Sequence, residues 1–165
     1  MDCLQGKWRN VAFFFTALLV VAADQPSKMW IRSYPEGQPI FEVGFFRIIH
    51  AQNTGAAFGL FQDQSLPLTI VAIIGIIAIL LFVFLFSRRF PYLESKLGKP
   101  TLGLVLGGTI GNLIDRLRLG YVTDFIGVGI WPAFNIADSA ITVGVILFAY
   151  SLLFLTRTIT TNLSD

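Results

Sequence analysis

The sequence predicts an all-α transmembrane fold: a four-helix membrane bundle with a small β-containing platform on its outer face. Three observations predict it. Hydrophobic residues make up 55% of the 165 positions and charged residues only 13%, where soluble domains carry about 25% charged residues. Apolar stretches recur at approximately 8–30, 66–86, 101–116 and 138–156, and a hydrocarbon core of ~30 Å takes about 20 helical residues to cross. Residues 31–65 between the first two are rich in aromatic and β-branched residues, the composition of short strands. The length suits one domain.

The first stretch has VAFFFTALLVVAA at its centre. Lys7 and Arg9 precede it as in a secretory leader, but three more stretches follow and AADQPSK is a poor cleavage site, so a retained helix is expected. The platform reads PIFEVGFFRIIHAQNTGAAFGLF, with Gly44 and Gly55 as punctuation. The second stretch, LPLTIVAIIGIIAILLFVFLF, carries no charge. The third, TLGLVLGGTIGNLI, is glycine-rich. Its Gly103, Gly107 and Gly111 form small-xxx-small steps that let a neighbouring helix approach closely. The fourth reads DSAITVGVILFAYSLLFL.

Charge orients the bundle. Lys7, Arg9, Arg88, Arg89, Lys96, Lys99 and Arg157 fall on one side; Lys28, Arg32, Arg47, Arg116 and Arg118 fall on the other. The excess on the first side places both termini in the cytoplasm. Asp24, Glu36, Glu42, Asp63, Asp115, Asp124 and Asp138 then lie on the outer side.

Composition also removes chemistries. Cys3 is the single cysteine and His50 the single histidine, so no intrachain disulfide and no multi-Cys or multi-His metal site is expected. His50, between Ile49 and Ala51, reads as structural. No cofactor is expected. No basic stripe interleaved with aromatics points to nucleic acid, and Arg47 and Arg118 read as facing water or headgroups. What remains for acid–base work is Asp and Glu.

Asp24, Asp115 and Asp138 each stand at the outer end of a stretch, joined by Asp124. Bland readings stand beside the functional one. Asp24 and Lys28 at i and i+4 suit an ion pair, Asp115 and Arg116 suit a helix end, and Asp138 suits an N-cap. Asn53 and Asn135 are turn formers. Two adjacent carboxylates also share one proton near neutrality, so one can take a proton from water while the other gives one to a carbonyl oxygen. That is metal-free amide hydrolysis. A competing reading is a small proton-coupled transporter subunit using Asp24, Asp115 and Asp138; relays of that kind sit near the bilayer midplane, whereas these residues cluster at one end.

Five motifs, DQPSK at 24–28, NTGAAFG at 53–59, GGTIGNLIDR at 107–116, GYVTDFI at 120–126 and FNIADS at 134–139, resemble in order those of the lipoprotein signal peptidases (signal peptidase II). The resemblance covers most of the chain. It implies a four-helix bacterial inner-membrane aspartyl endopeptidase with Asp124 and Asp138 as catalytic dyad. Asn53, Asn112, Asp115, Arg116 and Asn135 match positions that line or brace the pocket, and Asp24 and Lys28 match the motif ending the first helix. It also implies prolipoprotein substrates cleaved before a diacylglyceryl-modified cysteine, contact with membrane lipids, and sensitivity to globomycin-type inhibitors. A monomer is expected. The platform from Phe41 to Phe61 is placed to clamp the peptide by strand addition.

Two features depart from the family pattern. Pro26 inside the first motif removes an amide donor and predicts a kink or helix end, which works against the Asp24–Lys28 pair. The short segment between Asp124 and Asp138 predicts a reduced loop over the dyad.

Overall fold

The computed structural model describes residues 2–55, 63–86 and 98–161, with side chains described for 7–55, 63–86 and 98–151. Within these ranges the elements run α1 (Asp2–Ile31), β1 (Pro39–Val43), β2 (Phe46–Asn53), α2 (Ser65–Leu81), α3 (Gly98–Leu119), β3 (Val122–Val128) and α4 (Ile136–Thr161). A π-helical turn, Phe82–Phe86, extends α2. Arg88, Arg89 and Lys96, part of the NTGAAFG motif and of the platform, and the side chains of Cys3 and Arg157 lie outside the described residues.

The helices cover the four expected stretches and overrun most of them. α1 continues through Pro26 to Ile31. The loss of one amide donor there does not end the helix, and Asp24 and Lys28 still meet at 2.8 Å. The expected disruption at Pro26 is therefore corrected: tertiary contacts on both charged groups outweigh one missing backbone bond.

α3 occupies the middle, touching α1, α2 and α4. Its glycines are the reason. A Cβ at Gly107 would sit 2.6 Å from the Ala17 carbonyl oxygen and 2.8 Å from the Val20 Cβ, and one at Gly108 would strike the Ala137 carbonyl oxygen. Phe13 and Ala17 of α1 pack with Leu102 and Leu106 of α3 and with Val83. Lys99 Nζ donates to Asn10 Oδ1 at 2.7 Å, and Asp24 meets the opposite end of α3, so α1 and α3 run parallel. The first turn of α4 lies beside Asp24, and Phe148 lies against Phe82, so α4 runs back.

Two helices among the described residues, Lys7–Ile31 and Ser65–Phe86, are long and apolar enough to cross a membrane by themselves. α2 exposes Ile70, Val71, Ile74 and Ile77, an outward apolar surface of the kind that meets lipid or another protein. α3 fails that test because Gly, Thr, Asn and Asp fill faces that meet other helices.

The sheet has the order β1-β2-β3, antiparallel throughout. Its third strand comes from the segment after α3, not from residues 31–65. Gly120, at φ +80°, closes α3 with its amide on the Arg116 carbonyl at 3.0 Å; only a residue at ease in the left-handed region stops a helix this way. The chain then turns straight into β3.

Candidate active site

Asp124 is carried by β3 and Asp138 by the first turn of α4. In β2, Ile48 pairs with Ile126 and Ala51 with Asp124. Two residues, Ile49 and His50, thus oppose Phe125 alone, a bulge that resets which residues face the site. Ala51 and Asn53 then share a face with Asp124, and Asn53 reaches it diagonally, the reach expected of next-but-one neighbours across strands. Asn53 Nδ2 donates to Asp124 Oδ2 at 2.9 Å. Asn53 Oδ1 accepts from the Gly55 amide at 3.0 Å, which fixes which way its amide points.

Asp138 is not the N-cap of α4. Asn135 is: its Oδ1 accepts from the Asp138 amide at 2.9 Å, while Asp138 Oδ2 accepts from the Asn135 amide at 3.3 Å. This is a reciprocal capping box. Its consequence is chemical, because the Asn135 amide group is left free to donate. Nδ2 reaches Asp124 Oδ1 at 2.7 Å and Asn112 Oδ1 at 3.2 Å. Asn112 Nδ2 donates to Asp138 Oδ1 at 2.7 Å. One asparagine side chain thus holds each aspartate by its Oδ1.

Behind these amides sits a buried charge cluster. Lys28, fully buried, lies 2.8 Å from Asp24 and 3.4 Å from Asp115, and donates to Asn112 Oδ1 at 2.9 Å. Asp24 also accepts from the Ala137 amide at 2.9 Å, so α1 satisfies an amide in the first turn of α4. Asp115 accepts from the Thr123 amide at 2.9 Å and ties α3 to β3. Neither residue merely ends its helix.

A cavity of about 780 Å³ opens over Asp124 and Asp138. Asn53, Asn112, Arg116, Asp124 and Asp138 line it, with Trp131, Phe134, Ile141 and Val143 supplying an apolar wall. Asp24, Lys28, Asp115 and Asn135 stand behind it. Arg116 donates from Nη2 to the Gly55 carbonyl at 3.2 Å, and its Nε is buried without a hydrogen-bond partner. Burial, and secondarily the charge of Asp138, push Asp124 up to about 7, against weaker opposing pulls from Asn53 and Asn135.

Arg32 and Gln25 belong to the cluster and were not anticipated. Arg32 reaches Asp115 at 3.4 Å and Thr123 Oγ1 at 3.0 Å. Gln25 Nε2 lies 3.1 Å from both Asp24 Oδ2 and the Gly111 carbonyl. The i, i+4, i+8 spacing of Asp24, Lys28 and Arg32 was the available signal for Arg32. His50, at 6% exposure, bonds through Nδ1 to the Tyr34 carbonyl at 2.9 Å and does not line the cavity. Arg118 is exposed as expected, but Arg47 lays its side chain over Gly127. β2 is paired on both edges, and Asp115, Asn135 and Phe134 meet the backbone of Thr123, Phe125 and Ile126 on the outer side of β3. The segment between the aspartates folds back in a tight turn, with Phe134 bridging Ile126.

The family model and the named relatives agree on one family. The family model described as signal peptidase (SPase) II matches residues 16–154. A lipoprotein signal peptidase of Dehalococcoides mccartyi is 48% identical over 139 residues, covering 84% of this chain and 86% of its own. One from Moorella thermoacetica is 41% identical over 143 residues, covering 86% and 92%. A solved structure titled as a bacterial membrane enzyme superposes with a TM-score of 0.80 at 34% identity, over 88% of this chain and 90% of that one.

Proposed function

We propose a mechanism from one premise: the chain belongs to the signal peptidase II family. It is a protease that removes signal peptides from prolipoproteins. The proposal is that it does so as an aspartyl endopeptidase, with Asp124 and Asp138 as the dyad. The observation that carries it is the convergence of these two carboxylates, one from a strand and one from a helix, in one cavity with an amide fixed on each. The transporter reading has no support: its Asp24 and Asp115 are committed to Lys28 behind the cavity.

With one proton on the pair, the ionised carboxylate takes a proton from water as the water oxygen bonds to the scissile carbonyl carbon. The protonated carboxyl gives its proton to the carbonyl oxygen, yielding a tetrahedral gem-diol. Collapse returns the hydroxyl proton to the second carboxylate, and the first hands its proton to the departing amine. The carbon–nitrogen bond breaks and the dyad is restored.

The substrate class proposed is a diacylglyceryl-modified prolipoprotein cleaved before its lipidated cysteine. The apolar wall from Trp131 to Val143 beside the dyad suits a lipid-bearing residue, and anchoring the lipid lowers the entropic cost of bringing bond and water together. The four helices are proposed to cross the bacterial inner membrane, with both termini cytoplasmic and the dyad near the outer face, one copy sufficing.

Purified Asp124→Asn and Asp138→Asn, assayed on a lipidated prolipoprotein, should each lose about 10²–10⁴-fold in turnover while remaining folded. Wild-type turnover in either variant sinks the dyad.

A further inference from the structure

The two aspartates look interchangeable in composition but not in their surroundings. Asn112 Oδ1 faces two donors, Lys28 Nζ at 2.9 Å and Asn135 Nδ2 at 3.2 Å. Its amide therefore cannot flip without setting an NH₂ group against an ammonium and a second amide. Asn112 Nδ2 is thereby aimed at Asp138 Oδ1 at 2.7 Å. Asp124 also accepts from two amides, Asn53 and Asn135, but their oxygens accept from backbone amides, whereas the ammonium on Asn112 Oδ1 polarises Asn112 into the stronger donor and so favours an ionised Asp138. Lys28 is fully buried, so its charge is weakly screened.

We infer that Lys28 is a positioning residue: acting through Asn112, it makes Asp138 the ionised member of the dyad and leaves the proton on Asp124. This rests on the aspartyl reading above. Asp138 is then the base that activates water, and Asp124 the acid that protonates the carbonyl oxygen. The position of Asp124 near neutrality agrees with that division. Asp24 from α1 and Asp115 from α3 compensate the ammonium, and Arg32, in the turn between α1 and β1, is a second cation on Asp115. Arg116, Asp124 and Asp138 face the cavity side.

The test is the pH profile of kcat in charge-balanced double variants, Lys28→Met/Asp24→Asn and Lys28→Met/Asp115→Asn, with folding checked by thermal unfolding in detergent. With the Lys28 donor on Asn112 Oδ1 gone, both limbs of the profile should move to higher pH by about one unit, with kcat reduced and KM little changed. A lowered profile with unmoved limbs in either folded variant overturns the inference and makes Lys28 scaffold. If neither variant folds, Lys28 is a folding residue and the positioning role falls. The two readings fail separately. Active Asp124→Asn or Asp138→Asn sinks the dyad, whereas inactive aspartate variants with unmoved limbs in the Lys28 variants sink only the role of Lys28.

Discussion

Around Lys28, α1 meets α3 through hydrogen bonds and ion pairs among Asp24, Gln25, Asn112 and Asp115. Around Phe13, the same two helices meet through a glycine backbone and apolar side chains. The difference separates two jobs. Apolar contact between glycine and backbone is tight but says little about where a side-chain oxygen points. A buried charge cluster costs desolvation, yet it orients amides, and the amides orient the dyad. The chain spends its polar groups where direction matters and its small residues where distance does.

The sharpest way to break this contrast is at Asp115. Asp115→Ala strips Lys28 and Arg32 of a carboxylate and orphans the Thr123 amide. Removing one partner of a buried pair costs about 3–5 kcal/mol, so the variant should melt far below wild type, and β3 should be the first strand to exchange its amide hydrogens. Asp115→Asn, which still accepts from Thr123, should lose less. Equal melting of the alanine variant and wild type would show the cluster to be ornament.

The dyad itself should behave in the opposite sense. Asp124 is held at about 7 when folded, above the ~3.9 of an unfolded carboxyl. Between these values the folded chain keeps a proton that the unfolded chain has released. Stability therefore falls as pH rises through that window and levels off above it. Asp124→Asn should flatten this dependence and melt higher than wild type above neutrality, by about 1–4 kcal/mol. The carboxylate proposed to be catalytic is then a stability cost, where Asp115 is a support. A wild-type melting curve unchanged across the window would remove that distinction.

What the sequence made legible follows the same division. Hydropathy found the stretches of α1, α2 and α4, because their outward surfaces are apolar along their length. α3 was visible through its glycines rather than its hydropathy. The platform showed its β character in PIFEV and FRIIHA, but β3 went unseen as a strand, since VTDFI was read for its aspartate and not for its alternation. Lys28, Asn112 and Asn135 were placed at the site by resemblance alone, whereas Asp24 and Asp115 were also marked by their place at the outer ends of their stretches. Which of them line the cavity and which stand behind it depends on contacts between residues as far apart as Asp24 and Ala137, and no local pattern encodes that. The capping box is the exception. N-I-A-D carries the asparagine-to-aspartate spacing of a helix start, and the local reading put the cap on the wrong partner.

The apolar half of the comparison has its own test, and it needs two glycines rather than one. At Gly107 a Cβ would enter the backbone of Ala17 and the side chain of Val20, whereas at Gly75 of α2 nothing lies within 4 Å. Both sit in helices, so both gain the same propensity from alanine. Only Gly107 must also push a neighbouring helix away. Gly107→Ala should therefore destabilise by about 1–3 kcal/mol, the usual cost of overpacking, and should lower activity by moving Asp24 and Lys28 away from Asn112. Gly75→Ala should stabilise by about 0.5–1 kcal/mol, the ordinary glycine penalty relieved, with turnover unchanged. Melting temperatures measured side by side in one detergent read both. If the two variants shift in the same direction, close backbone approach is not what holds α1 on α3, and the polar cluster must be doing that work as well as orienting the dyad.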